Sequence, residues 1–261
     1  MLPRLAFATG AATAASALAK AALEFRGRPE SDVAPPEQLL RVQRAPAFLT
    51  PDDIKAVHAL RRQHLAANAP HASEVQGEHG TYYLQAAGLA RAVAPELLDK
   101  LTNLAFQADA SHFGGNAASA KIRCVEFHEY GPGAQLQKQT HFDLGSSVTV
   151  DCMLSEDGDY EGGNFETLEA DGSLLRHTFK QGDVLIFPSL KYHCVSPITS
   201  GFRRVMVIEL WQGPENECNH RCDDASNSVC ANPLDAVFLR LDDHATNFWT
   251  PFQGRSAAAE I

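Results

Sequence analysis

Positive charge, long apolar runs and internal repetition are all scarce in this 261-residue sequence. Lysine and arginine number 22 against 32 aspartates and glutamates, a net charge of −10. Gripping phosphate takes a basic face, so nucleic acid is excluded as the main partner. A basic or neutral substrate is compatible with this charge. The uncharged stretch 5–19 is too short and too alanine-rich for a bilayer, where about 20 apolar residues are needed, so no stable membrane span is expected. No internal repeat is evident. Acid is missing from the start of the chain, the first being Glu24.

That acid-free opening has a reading of its own. Ala17, Leu18 and Ala19 offer a small-x-small cleavage site, so residues 1–28 are expected to be a targeting peptide. A secretory signal and an organelle transit peptide fit equally, with an alanine-rich helix of the mature protein as the plain alternative. A cleavable leader of either kind would imply the secretory pathway or an organelle, and without one a soluble chain is expected. Residues 26–37, with Pro29, Pro35 and Pro36, read as a linker.

What remains is ordinary globular material, 44% hydrophobic and 21% charged, enough for one large domain or one with a small extension. Residues 37–43 fit a strand leading into it. Thr50, Pro51, Asp52 and Asp53 form a helix start, with a capping hydroxyl, proline at the first position and acids in the first turn. That helix should run to about Leu65, its His58 and His64 being exposed or packed rather than ligands. Residues 95–106 carry apolar side chains at helical spacing and predict a second helix. Both are expected to brace a β-sheet.

From residue 122 the pattern changes to strands. Segments 122–127, 147–154, 164–168, 174–179, 184–187 and 203–211 are strand-sized, with glycine- and aspartate-rich turns between many of them. Turns at intervals of about eight to twelve residues point to an all-β sandwich or barrel, here a double-stranded β-helix, or jelly roll. The expected fold is mainly β, with N-terminal supporting helices.

Within it, His141 and Asp143 are two residues apart and share a face if the strand is extended. With His193 some fifty residues on, they match the ligand set of a non-haem iron site, in which two imidazoles and a carboxylate leave other positions open. Residues 197–201 read as a turn. With a hairpin centred on Thr199, Val205 lies opposite His193, so Arg203 shares that face and Arg204 points away. Arg203 would then sit roughly 7 Å along, about the reach of a five-carbon dicarboxylate chelated through its oxo-acid end. Its guanidinium suits the far carboxylate. A one-residue bulge would exchange the two arginines. His128, near this motif, is expected to be structural.

These residues carry a resemblance. Tyr130-Gly131-Pro132-Gly133, His141-Phe142-Asp143, Tyr160-Glu161-Gly162-Gly163-Asn164-Phe165, the run from Gly182 to Phe187, His193, Pro197 and Gly201-Phe202-Arg203 resemble the iron(II)/2-oxoglutarate-dependent dioxygenases, and within them the prolyl/lysyl hydroxylase-like branch. The resemblance covers residues 122–211. It implies His141, Asp143 and His193 as iron ligands, Arg203 as the 2-oxoglutarate anchor and Tyr130 as a further cosubstrate contact. It also implies O2 as co-reactant, ascorbate as an optional reductant, and hydroxylation of a prolyl or lysyl residue of a protein with release of succinate and CO2. A small-molecule substrate and a non-catalytic metal-binding module are the alternatives. Two departures stand out: the segment 133–141 is longer than is usual in that branch, and Met153 stands where some members place a polar contact.

The six cysteines fall into two groups. Cys124, Cys152 and Cys194 lie on predicted strands as buried thiols, Cys194 facing away from the metal motif. Cys218, Cys222 and Cys230 follow the last strand, with His220 among them. A disulfide is the expectation there in an oxidising compartment. A zinc site is the weaker alternative, because Cys218 and His220 are closer than usual ligand spacing, and free thiols are the plain one. The expected division is a targeting peptide (1–28), a helical support region (29–118), the jelly-roll domain (119–213) and a cysteine-containing extension (214–261), whose Phe248 and Trp249 are expected to pack on the domain.

Overall fold

The computed structural model describes residues 40–67, 73–76 and 78–222. The predicted targeting peptide, the linker, Cys230 and the tail with Phe248 and Trp249 lie outside the described residues.

Thirteen strands are described. They are β1 (Gln43–Ala45), β2 (Ser73–Gln76), β3 (His79–Tyr83), β4 (Lys121–Tyr130), β5 (Leu136–His141), β6 (Val148–Met153), β7 (Tyr160–Gly162), β8 (Phe165–Leu168), β9 (Leu174–Arg176), β10 (Val184–Pro188), β11 (His193–Val195), β12 (Ile198–Gly201) and β13 (Arg203–Trp211). Seven form one sheet in the order β1-β10-β6-β13-β4-β3-β2, and four form a second in the order β5-β11-β8-β9. The pairings are antiparallel. Two sheets whose strands alternate along the chain make the jelly roll expected from the turn spacing.

Alternation along the central strands explains the layering. Met206, Ile208 and Leu210 of β13 point to one side with Val125 and Phe127 of β4, Val148 and Val150 of β6, and Val184 and Ile186 of β10. Helix α1 (Pro51–Ala67) and helix α3 (Pro95–Ala108), with the short α2 (Leu89–Val93) between them, cover that face through Val57, Leu60, Leu97, Leu98, Leu101 and Ala105. The start of α1 is a reciprocal cap: Asp53 N–H donates to Thr50 Oγ1 at 3.1 Å, and Thr50 N–H donates to Asp53 Oδ2 at 2.8 Å. Lys100 of α3 bonds Asp53 at 2.8 Å and the Phe48 carbonyl at 2.9 Å, locking the two helices together. His64 is fully buried, and His58 packs edge-on against Phe127 at 5.8 Å.

Three features depart from the sequence reading. β2 and β3 extend the large sheet beside β4, where no strands were expected. Residues of the glycine-rich connection 156–163, which lies between two expected strands, and of 197–201, read as a turn, pair as the two-stranded ribbon β7–β12. This ribbon depends on glycine. Gly162 (φ +78°) and Gly201 (φ +72°) have positive φ, and a Cβ on either would lie about 2 Å from a backbone oxygen, Pro197 O or Asp159 O. Finally, no hairpin sets Val205 opposite His193. Val205 pairs with His128 and Met153 in the large sheet, whereas His193 pairs with His141 and Thr167 in the small one. The segment 196–202 carries the chain from one sheet to the other, so neighbours in sequence are not neighbours in a ladder.

Candidate metal and cosubstrate site

His141 closes β5 and His193 opens β11, and these two residues are direct partners in the ladder. Asp143 lies just beyond the strand rather than on it, its N–H donating to the Ser189 carbonyl at 2.8 Å. The turn therefore brings the carboxylate to the two imidazoles, replacing the shared strand face expected from the spacing. Asp143 Oδ1 is 3.3 Å from His141 Nε2 and 3.8 Å from His193 Nε2, and one donor from each residue falls within 4.8 Å of the others.

Two of the three donors, on His193 and Asp143, are aimed by a second contact. His193 Nδ1 meets the Lys191 carbonyl at 2.9 Å; with the proton there, Nε2 presents its lone pair to the cluster. Thr149 Oγ1 donates to Asp143 Oδ2 at 2.6 Å and contacts Ser189 Oγ at 2.9 Å, which leaves Oδ1 turned toward the imidazoles. Phe165 stacks on His193 at 5.6 Å and Phe187 meets it edge-on at 5.1 Å, forming a dry wall. Burial opposes ionisation of Asp143, but His193, His141 and Arg221 outweigh it and hold the carboxyl well below the usual carboxylate range. Burial pushes the pKa of His193 down to about 4, against the pull of Asp143. At neutral pH the pair is thus a carboxylate and a neutral imidazole, both in ligating form. Two imidazoles and a carboxylate fit a divalent iron.

Arg203 projects from the inner side of β13 and is 1% exposed. Its guanidinium lies over the rings of Tyr130 (5.6 Å) and Phe179 (5.7 Å), while Nε and Nη2 are buried without a hydrogen-bond partner. Phe179 also touches Phe165, the ring stacked on His193, at 6.2 Å, so a chain of ring contacts links Arg203 to the His/Asp cluster. Unsatisfied buried guanidinium nitrogens are costly, and a carboxylate is the group that satisfies two of them together. Asp151 stands beside them, its Oδ2 4.0 Å from Arg203 Nη2 and its Oδ1 without a partner. Burial pushes the Asp151 carboxyl up to about 6, although Arg203 pulls it down. Arg204 points the other way and donates to Glu129 Oε2 at 2.6 Å on the helix side.

Tyr130 is the ladder partner of Arg203, and burial pushes its phenol far above the ordinary range. His128 contacts His79 Nε2 and Thr81 Oγ1 at 3.1 Å through Nδ1 and Glu126 at 2.9 Å through Nε2, a structural role. Thr149 and Asp151 were not singled out in the sequence. Their signal was a period of two on β6, which puts both on the face that carries the chemistry.

No family model matches the chain. It is similar to a PKHD-type hydroxylase of Synechococcus sp. (strain CC9311), 33% identical over 103 residues, which is 36% of this chain and 46% of the relative. A second PKHD-type hydroxylase, from Picosynechococcus sp., is 30% identical over 96 residues, 34% of this chain and 43% of the relative. The matches thus span less than half the length of these curated relatives. Among solved structures, an oxidoreductase of the 2OG-Fe(II) oxygenase family from Burkholderia pseudomallei aligns with TM-score 0.53 at 16% identity, over 68% of this chain and 87% of that one. A Pseudomonas putida prolyl-4-hydroxylase aligns with TM-score 0.51 at 19% identity, over 67% and 94%. The fold is therefore the one these oxygenases share, and the resemblance read in the sequence is borne out.

Proposed function

We propose that this chain, similar in sequence to PKHD-type hydroxylases and in fold to 2-oxoglutarate–iron(II) oxygenases, is an iron(II)- and 2-oxoglutarate-dependent dioxygenase that hydroxylates a prolyl or lysyl residue of a protein. One observation carries this reading: a His/Asp/His cluster and a buried arginine with unpartnered nitrogens are linked by the contacts of Phe179 and Phe165. His141, Asp143 and His193 would hold the iron. Arg203 would take the far carboxylate of 2-oxoglutarate, with Tyr130 packed against its guanidinium. Iron with 2-oxoglutarate and O2 supplies an oxidative decarboxylation that releases succinate and CO2 and puts one oxygen atom on a C–H bond.

The protein's own residues bind, orient and exclude water. Thr149 fixes which carboxylate oxygen of Asp143 faces the metal position, and the Lys191 carbonyl does the same for the His193 ring. Phe165, Phe179 and Phe187 keep water from the inner wall, which strengthens the pull of Arg203 on a carboxylate. The names of the relatives support the prolyl or lysyl choice. The full-length chain, supplied with iron(II), 2-oxoglutarate, ascorbate and air, is offered peptides rich in proline and lysine and, separately, a metabolite pool. The expected result is succinate formation coupled to a peptide product heavier by one oxygen. An oxygenated metabolite with unchanged peptides would move the substrate to small molecules. Absence of iron-dependent succinate in both arms would contradict the assignment.

A further inference from the structure

The segment after β13 holds a second cluster of soft donors. Cys218, His220 and Cys222 lie at i, i+2 and i+4, and a bend over 218–220 gathers one donor atom from each to within 4.8 Å of the others. Cys222 Sγ is 3.5 Å from His220 Nε2. His220 Nδ1 lies 3.2 Å from Asn219 Oδ1; donation there leaves the Nε2 lone pair facing the sulfur, the pattern of a ligating histidine oriented through its other nitrogen. Cys218 and Cys222 are separated by three residues, inside the usual spacing of paired zinc thiolates, and the bend admits His220 between them. The short Cys218–His220 separation therefore does not prevent convergence.

Three buried polar side chains shape the backbone of this five-residue knuckle. Gln85 Nε2 donates to the carbonyls of Cys218 (3.0 Å) and His220 (3.2 Å). Asn216 Nδ2 donates to the His220 carbonyl at 3.2 Å, and Asn216 Oδ1 accepts from Cys218 N–H at 2.8 Å. Arg123 Nε donates to the Cys222 carbonyl at 2.6 Å. Gln85, Asn216 and Arg123 are at most 4% exposed. The fold thus holds the three donors together from its interior. Within the knuckle, Arg221 Nη2 bonds the Leu144 carbonyl at 2.9 Å and its Nε reaches both oxygens of Glu209 at 3.0 Å. Leu144 directly follows Asp143 in the chain.

We propose that Cys218, His220 and Cys222 bind a structural zinc ion, distinct from the His141/Asp143/His193 site, and that this ion braces the turn carrying Asp143. Two thiolates and an imidazole suit zinc over harder divalent ions, with the fourth position left to water. Binding releases the thiol protons to solvent and needs no oxidant. The inference stands on the knuckle alone and does not rest on the proposed activity.

The test uses the full chain, reduced and stripped of metal, and a His141→Ala/Asp143→Ala variant that lacks the other site. Each is titrated with zinc and, separately, with cobalt(II). Thiolate ligation to cobalt gives near-ultraviolet charge-transfer absorption, which a site of imidazole and carboxylate cannot give. The expected result is one tightly held equivalent of zinc in the variant, and the thiolate-to-cobalt band in both proteins. Cys218→Ser, at a partly exposed position, should lose the band and at least tenfold in zinc affinity while still folding. Absence of the band in both reduced proteins would overturn the proposal. So would a Cys218–Cys222 linkage in protein isolated without reductant, seen as a mass lower by two hydrogens and restored by reduction.

Discussion

The two faces of the seven-stranded sheet are both largely buried but differ in chemistry. On the helix side, β13 contributes Met206, Ile208 and Leu210 to a continuous apolar layer. On the other side the same strand contributes Arg203 and Glu209, beside Asp151 and Thr149 of β6 and Glu126 and His128 of β4, all but the half-buried His128 at most 8% exposed. Burying charge is costly unless it is paired. Glu209 has Arg221 at 3.0 Å and Glu126 has His128 at 2.9 Å, whereas Arg203 and Asp151 keep atoms without partners. The helix-side face carries the larger apolar core. The other retains unsatisfied polarity where a charged ligand would satisfy it.

The largest expected effect is on the inner side. Asp143→Ala removes the carboxylate of the cluster and should abolish iron-dependent succinate formation, with the fold intact by circular dichroism; undiminished turnover by the folded variant would remove Asp143 from the ligand set. The outer face should respond in the opposite way. Leu101→Ala deletes a fully buried side chain of α3 and should cost about 2–5 kcal/mol of unfolding free energy in denaturant titration. Its 2-oxoglutarate affinity under native conditions should match that of the parent, and a large loss there would mean the faces are not separable.

A smaller effect concerns Asp151. With its carboxyl pushed up to about 6, it is ionised at pH 8 and competes with an incoming carboxylate for Arg203. Lowering the pH from 8 toward 6 raises the neutral fraction of Asp151 to about half, so calorimetric 2-oxoglutarate binding should tighten by up to roughly tenfold per pH unit, and Asp151→Asn should flatten the dependence. The sign for stability is the same. A carboxyl whose folded pKa exceeds its unfolded value disfavours the fold once ionised, so this cost is full above pH 6 and absent below the ordinary carboxylate range. A pH-independent affinity in the parent would show that Asp151 does not face the cosubstrate.

Much of this was legible because β-structure writes its faces with a period of two. The run 203–211 is β13, and His141, Asp143 and His193 are brought together as their chemistry suggested. Two kinds of feature were hidden. β3 is buried between β4 and β2, yet His79, Gly80, Thr81 and Tyr82 give no apolar alternation, and β7 and β12 are short and glycine-bearing, so both read as turns. The second loss was pairing. The rule that neighbouring strands pair in a hairpin fails in a jelly roll, where the chain changes sheets, and this is why Val205 was set opposite His193. The inward direction of Arg203 survived because it depends on alternation along β13 rather than on the partner strand.

The adjacent pair Arg203 and Arg204 tests the two-face account most directly, since the residues differ by one position and point to opposite sides. The measurement is the 2-oxoglutarate dependence of succinate formation in Arg203→Ala and Arg204→Ala. Loss of a buried, two-point, charge-assisted contact of about 2–3 kcal/mol should raise the requirement roughly 30- to 150-fold in Arg203→Ala. Arg204→Ala loses a partly exposed ion pair to Glu129 and should leave the requirement within about twofold of the parent. Equal dependence in both variants, or a crippled Arg204→Ala beside an unaffected Arg203→Ala, would contradict the account.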